Sequence, residues 1–362
     1  MTETLVATGA RRRTRPAVID CDIHNTVPAP AALLPYLPRE WHDYEREIGS
    51  RIYHGYLYPK LAPNAARRDA WPPTGGPPGS NLPFLREQLL DLYDIELGVL
   101  NCLHDGYRQM NGRYSAVLTA AVNDWQVAEW LDPEPRLRAS IVIPVQDAEA
   151  AAGEIRRCAR DPRFVQVLTA IRVHEPLGKP RYWPIYAAAA ECGLPFAIHY
   201  GVAVANPPTA TGWPSYYLEE HTGAALAVQT HVASLIFEGV FQRFPTLNVA
   251  LVEGGFAWLP SLMWRLDRYW QEYRVELPWV DRPPSEIIRE RVKVTTQPIE
   301  EPPDPRHFWK VLEQLGSDDM LMFATDYPHW DFDAPGQALP NGLSRELERK
   351  ILADNARAFY RF

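Results

Sequence analysis

In FATDYPHWDFD, residues 323–333, an apolar run that begins at Leu321 ends at Ala324, and a carboxylate, Asp326, follows almost at once. A carboxylate leaving the end of a short strand, with Tyr, Pro, His and Trp in the turn behind it, is how an α/β barrel exposes catalytic groups at its mouth. The other end of the chain matches it. VIDCDIHN, Val18 to Asn25, is a second apolar strand, and it carries Asp22 and His24 two positions apart. Side chains at i and i+2 of a strand share a face, so a carboxylate and an imidazole at this spacing can converge on one cation.

Between these ends, apolar strands alternate with helical periodicity. Strands are expected at Leu97–Leu103, Leu137–Pro144, Phe164–Leu168, Leu194–His199, Leu247–Val252, Val292–Thr295 and Met320–Ala324. Helices are expected at Leu85–Tyr93, Ser115–Leu131, Ala148–Arg160, Trp183–Cys192, Gly223–Phe241, Trp258–Tyr273, Pro305–Leu315 and Ser344–Tyr360. Eight βα units favour a closed (β/α)8 TIM barrel over an open sheet. Residues 1–16, with the run Arg11-Arg12-Arg13-Thr14-Arg15, read as a disordered, solvated tail, because no apolar export segment follows them. Residues 17–362 read as one barrel domain. Its long insertion, 26–82, includes WPPTGGPPGSNLP at Trp71–Pro83, where proline and glycine forbid regular structure. Tyr53, His54, Tyr56, Tyr58 and Trp71 make that insertion a lid or a dimer arm.

Composition narrows the function. The 362 residues are 46% hydrophobic with a formal net charge of −8, enough to bury a large core and without the basic stripe that nucleic acid or an anionic membrane would attract. Four cysteines without CxxC spacing indicate reduced thiols in a cytoplasmic protein. The expected partners are a small-molecule substrate and a second copy of the chain in a homodimer. Other strand ends add chemistry: His199 closes PFAIHYG as a third ligand candidate, and Glu253 follows the sixth strand ahead of two glycines.

D-x-H after the first strand, H-x-G in AIHYG, FEGVFQRFPTLNVALVEGG at 237–255 and ATDYPHWD near the end resemble, in this order, the amidohydrolase-related family that includes aminocarboxymuconate semialdehyde decarboxylase. The resemblance spans almost the whole chain. It implies a metal-dependent barrel enzyme binding one divalent ion, zinc first and manganese as the alternative, with ligands Asp22, His24, His199 and Asp326. Two departures stand out. Asp22 replaces the first His of a common H-x-H, and Glu253 stands where decarboxylase-like relatives carry the His of His-Gly-Gly. The second weakens direct transfer of a decarboxylase mechanism, so the first expectation is hydrolysis of a small aromatic or cyclic substrate by metal-activated water. In it Asp326 is the base, and Glu253 or His329 passes the proton, Glu253 being favoured. His329 serves equally well as a group that orients a carboxylate. Trp213, His221, His231 and Tyr327 are the expected substrate contacts, although the helical spacing of His231 also suits packing. Nonoxidative decarboxylation of an aromatic or enoic acid is the alternative, and a non-catalytic binding barrel the second alternative.

Overall fold

The computed structural model describes residues 16–49, 65–104, 106, 109, 111–201 and 209–362. Tyr53, His54, Tyr56 and Tyr58 lie outside these residues, as do 1–15 of the expected tail. Eight strands form one sheet: β1 Ile19–Ile23, β2 Leu97–Leu100, β3 Leu137–Val142, β4 Phe164–Ala170, β5 Phe196–His199, β6 Val249–Val252, β7 Val292–Thr295 and β8 Leu321–Met322. They pair in sequential order, every pair parallel. β1 and the end of β8 then meet. Cys21 N–H donates to Phe323 O at 2.9 Å, Asp326 N–H to Asp22 O at 3.1 Å, and His24 N–H to Tyr327 O at 2.7 Å. These bonds draw the sheet round into the expected barrel, and they place the two most informative sequence segments side by side.

Runs such as VALV of β6 are buried along their whole length, because a parallel strand in a barrel has the interior on one face and helices on the other. The helices carry local start signals. Asn111 caps Gly112–Gln126 by accepting from Tyr114 N at 3.2 Å, and Asp147 caps Ala148–Cys158 by accepting from Ala150 N at 3.0 Å.

Two elements differ from the sequence expectation. The helix expected from Gly223 begins at Tyr217 and runs to Phe237, because the Glu219 carboxylate reaches back to the N–H groups of Ser215 and Tyr216, both at 2.7 Å. His221 therefore sits near the start of a helix rather than in the loop after β5. The insertion after β1 contains short helical pieces, Pro30–Tyr36 and His42–Glu47, before the proline- and glycine-rich turns. Its residues 65–67 run along the loop after β8, with Trp330 N–H donating to Ala65 O at 2.8 Å and Arg67 N–H to Pro328 O at 3.0 Å. No helix among the described residues is long and apolar enough to cross a membrane.

Candidate functional site

Every strand-end residue singled out above lies at one end of the barrel. Asp22 and His24 project from β1, His199 ends β5, and Glu253 and Asp326 follow β6 and β8. Glu253 and Asp326 have φ of 55° and 59°, a left-handed backbone that side-chain-bearing residues seldom adopt. Strain of this kind persists where surrounding structure holds a residue for a purpose. Here it turns two carboxylates into the mouth.

The imidazoles are oriented by the backbone. His24 Nδ1 lies 2.8 Å from Asn101 O, and His199 Nδ1 is bonded to Tyr200 O. A carbonyl can only accept, so each Nδ1 carries the proton and each Nε2 offers a lone pair. His24 Nε2 is 3.4 Å from Asp22 Oδ1 and 2.9 Å from Asp326 Oδ1, and His199 Nε2 is 3.1 Å from Asp22 Oδ2. A ring fixed through one nitrogen with the other aimed at carboxylates is the arrangement of a metal-ligating histidine. Asp326 Oδ2 is buried without a hydrogen-bond partner among the described residues. Two imidazoles and two carboxylates facing one another, with a buried orphan oxygen, fit a divalent cation.

Charge tells the same story. Burial opposes a charged His24, yet Asp22 and Asp326 overcome it and lift its pKa to about 9, so these carboxylates favour positive charge at Nε2, whether a proton or a metal cation. Burial likewise opposes ionised Asp22 and Asp326. Imidazoles prevail in each case, His199 and His24 on Asp22, His329 and His24 on Asp326, and hold both carboxyls below the usual carboxylate range. Burial, followed by repulsion from Asp326, Asp22 and Asp331, pushes Glu253 well above its ordinary value.

His329 donates from Nδ1 to Asp326 Oδ1 at 2.7 Å and stacks on His24 with ring centroids 4.3 Å apart. His221 is ringed by Tyr200, Tyr217 and Trp330, with centroids at 5.1, 5.6 and 5.8 Å. The other expected substrate contacts are not drawn into this cluster. His231 is taken up by main chain, bonding Ile171 O through Nε2 and accepting from Leu177 N at 3.2 Å through Nδ1. Tyr327 is buried with its hydroxyl on Gln88 Oε1 at 2.9 Å, and Trp213 is 51% exposed.

The sequence reading missed Asn101, Asp331, Tyr200, Tyr217 and Trp330. Asn101 had a signal, since it ends the apolar run of β2 as Asp22 nearly ends β1. Its side chain donates to Asp22 Oδ1 at 2.8 Å while its carbonyl holds His24. Asp331 lies inside the motif that opened the sequence reading. Tyr200 directly follows β5, Tyr217 opens the helix that carries His221, and Trp330 lies in the loop after β8, so no single motif groups the three aromatic residues.

A barrel mouth lined with candidate metal ligands and flanked by aromatic rings defines the class, and comparison with known proteins gives it a family. The amidohydrolase family profile matches residues 19–362, and the chain belongs to this family of enzymes. It is 25% identical over 297 residues to a gamma-resorcylate decarboxylase of Rhodococcus jostii, covering 76% of this chain and 87% of that one. It is 24% identical over 282 residues to a 2-amino-3-carboxymuconate-6-semialdehyde decarboxylase of Dictyostelium discoideum, covering 76% of each. A dihydroxybenzoic acid decarboxylase from a Polaromonas species, solved with manganese and the inhibitor 2-nitroresorcinol, superposes with a TM-score of 0.66 at 19% identity, covering 96% of this chain and 97% of that one.

These relatives overturn the expectation of hydrolysis. The geometry agrees with the correction: Asp326 accepts from His329 Nδ1–H and is held ionised by the imidazoles of His329 and His24, so it is a poor base for removing a proton from water.

Proposed function

We propose that this chain is a metal-dependent, nonoxidative decarboxylase of an aromatic acid. The observation that carries the reading is the mutual approach of Asp22, His24, His199 and Asp326, next to the packed rings of Tyr217, His221 and Trp330. The decarboxylase relatives support it.

In this reading Asp22, His24, His199 and Asp326 hold one divalent cation. The two carboxylates tip the preference towards manganese over zinc. When bound, the ion supplies Lewis acidity that anchors an anionic substrate and stabilises the charge it develops. Tyr217 and Trp330 give the substrate ring an apolar wall, their own centroids being 6.4 Å apart. The reaction needs a proton at the ring carbon that bears the carboxylate. As that carbon–hydrogen bond forms, the bond to the carboxyl carbon breaks, its electron pair restores the ring, and carbon dioxide leaves.

We assign the proton to His329. Its side chain is 18% exposed and is hydrogen bonded to Asp326. Glu253 is 4% exposed, and its oxygens face His199 at 3.5 Å and His221 at 3.7 Å rather than open space.

The test is carbon dioxide release from a panel of hydroxybenzoic acids that includes gamma-resorcylate, with ester and amide substrates alongside. Turnover of an acid, lost on chelation and restored by manganese or zinc, is expected. Ester or amide cleavage with no carbon dioxide from any acid overturns the reading.

A further inference from the structure

Glu253 stands between two imidazoles, and only one of them belongs to the cluster assigned above. Oε2 lies 3.5 Å from His199 Nδ1, while Oε1 lies 3.7 Å from His221 Nε2. On its far side, His221 Nε2 is 3.4 Å from Asp331 Oδ2. The contacts at 3.7 and 3.4 Å are not hydrogen bonds. Glu253 Oε2, His221 Nε2 and Asp331 Oδ2 are all buried atoms without a hydrogen-bond partner among the described residues. Left so, each carries an uncompensated desolvation cost. The contrast with His329, a true hydrogen-bond partner of Asp326 at 2.7 Å, is direct.

The spacing suits an ion. Two donors bound at about 2.1 Å to one dication stand about 3.0 Å apart in octahedral and about 3.4 Å apart in tetrahedral coordination, within reach of small side-chain adjustments. His221 Nε2 meets Asp331 at 3.4 Å and Glu253 slightly beyond it, while His24 Nε2 meets Asp22 at the same 3.4 Å in the first cluster.

Charge balance points the same way. Asp22, Glu253, Asp326 and Asp331 have only imidazoles as ion-pair partners among the described residues. No arginine or lysine among the described residues pairs with any of the four, so a cation at this rim competes with no fixed positive charge. The groups are also held in place. Tyr200, Tyr217 and Trp330 surround the His221 ring, and the N–H of Glu253 donates to Thr295 Oγ1 at 3.1 Å.

We infer that His221, Glu253 and Asp331 bind a second divalent cation next to the first, with the Glu253 carboxylate bridging the two. Two carboxylates to one imidazole make this a site for a first-row dication of the manganese type. The inference does not depend on which reaction the enzyme runs.

The experiment strips the full-length protein with a chelator, reloads it with Mn2+, removes excess by gel filtration and counts metal per chain by elemental analysis. Electron paramagnetic resonance on the same samples reports whether the ions are exchange-coupled. Wild type is expected to hold two Mn2+ per chain with a coupled signal. His221→Ala and Asp331→Asn are each expected to hold one, with the signal of an isolated ion. Wild type saturating at one Mn2+ overturns the proposal, as does retention of two in the variants. Asp331→Asn is nearly isosteric, so it decides the matter if His221→Ala does not fold. Carbon dioxide release is read separately, and its absence with two bound ions would count against the decarboxylase alone.

Discussion

Asn101→Ala separates a residue that aims metal ligands from one that only fills the barrel. The Asn101 side chain donates to Asp22 Oδ1 at 2.8 Å and Cys21 O at 3.1 Å, and accepts from Ser140 Oγ at 2.5 Å and Gln166 Nε2 at 3.0 Å. Gln166 also donates to Ser140 Oγ at 2.9 Å and accepts from Tyr360 O–H at 2.9 Å, so a ladder of polar groups descends from Asp22 into the barrel. All of these bonds are buried. Truncation to Ala removes four of them at about 1 kcal/mol each, for a stability loss of roughly 3–5 kcal/mol once the small cavity is included. Loss of the group that steadies a ligand typically weakens metal binding about 10–100-fold. Ser140→Ala breaks the same ladder one step further from Asp22, so it is expected to cost stability but to change metal affinity less than about threefold. Denaturant unfolding of the metal-free protein gives the first quantity, and competition titration against a chromophoric chelator gives the second. Wild-type metal affinity in Asn101→Ala, alongside the loss of stability, would refute the aiming role and leave Asn101 a core residue.

Three further outcomes follow from the geometry. His329→Asn should lower kcat at least about 100-fold with metal content unchanged, since it removes the proton donor but no ligand, and a near-wild-type rate removes His329 from the reaction. Gly79 has φ of 76°, and a Cβ there would lie 2.3 Å from His24 O, so Gly79→Ala should cost about 1–3 kcal/mol and lower bound metal; an unchanged melting temperature and full metal occupancy would contradict this. Glu134 is 4% exposed at its side chain, and its hydrogen bonds to Arg136, then to Arg86, pull its pKa from 4.5 to about 2. A carboxyl lowered by folding stabilises above its unfolded value and loses that contribution as pH falls from about 4.5 towards 2. With both arginines 31% exposed, the network is discounted to about 2 kcal/mol, so Glu134→Gln should lower unfolding free energy by that much at pH 7 and by almost nothing near pH 2. Equal losses at both pH values would show that packing, not charge, is what Glu134 provides.

The barrel was legible because its signal is local and repeated. Each strand is a short, largely apolar run, and β1, β5, β6 and β8 lead into the polar residues that the parallel arrangement delivers to the same rim. Asp22, His24, His199, Glu253 and Asp326 were found in this way, and the structure brings all five together. His221 was harder to place. Its position depends on Glu219 bonding backwards to two N–H groups, a contact that moves a helix start by six residues without altering the apolar periodicity behind it. His231 shows the opposite failure. It lies on the same helix as His221, but there the imidazole joins Ile171 and Leu177 through their main chain, and no residue-type pattern distinguishes that use from substrate contact.

Glu253 exposes the deeper limit on reading reaction type. In sequence, the replacement of a histidine by glutamate after β6 argues against decarboxylation, because an imidazole has been lost from the mouth. In space, the helix Tyr217–Phe237 carries His221 to within 3.7 Å of that same glutamate, so an imidazole and a carboxylate are both present, delivered by different elements. A one-dimensional motif records which strand supplies a group, whereas the chemistry depends only on where the group arrives. That is why the substitution at Glu253 misdirected the choice between hydrolysis and decarboxylation while leaving the fold and the family unaffected.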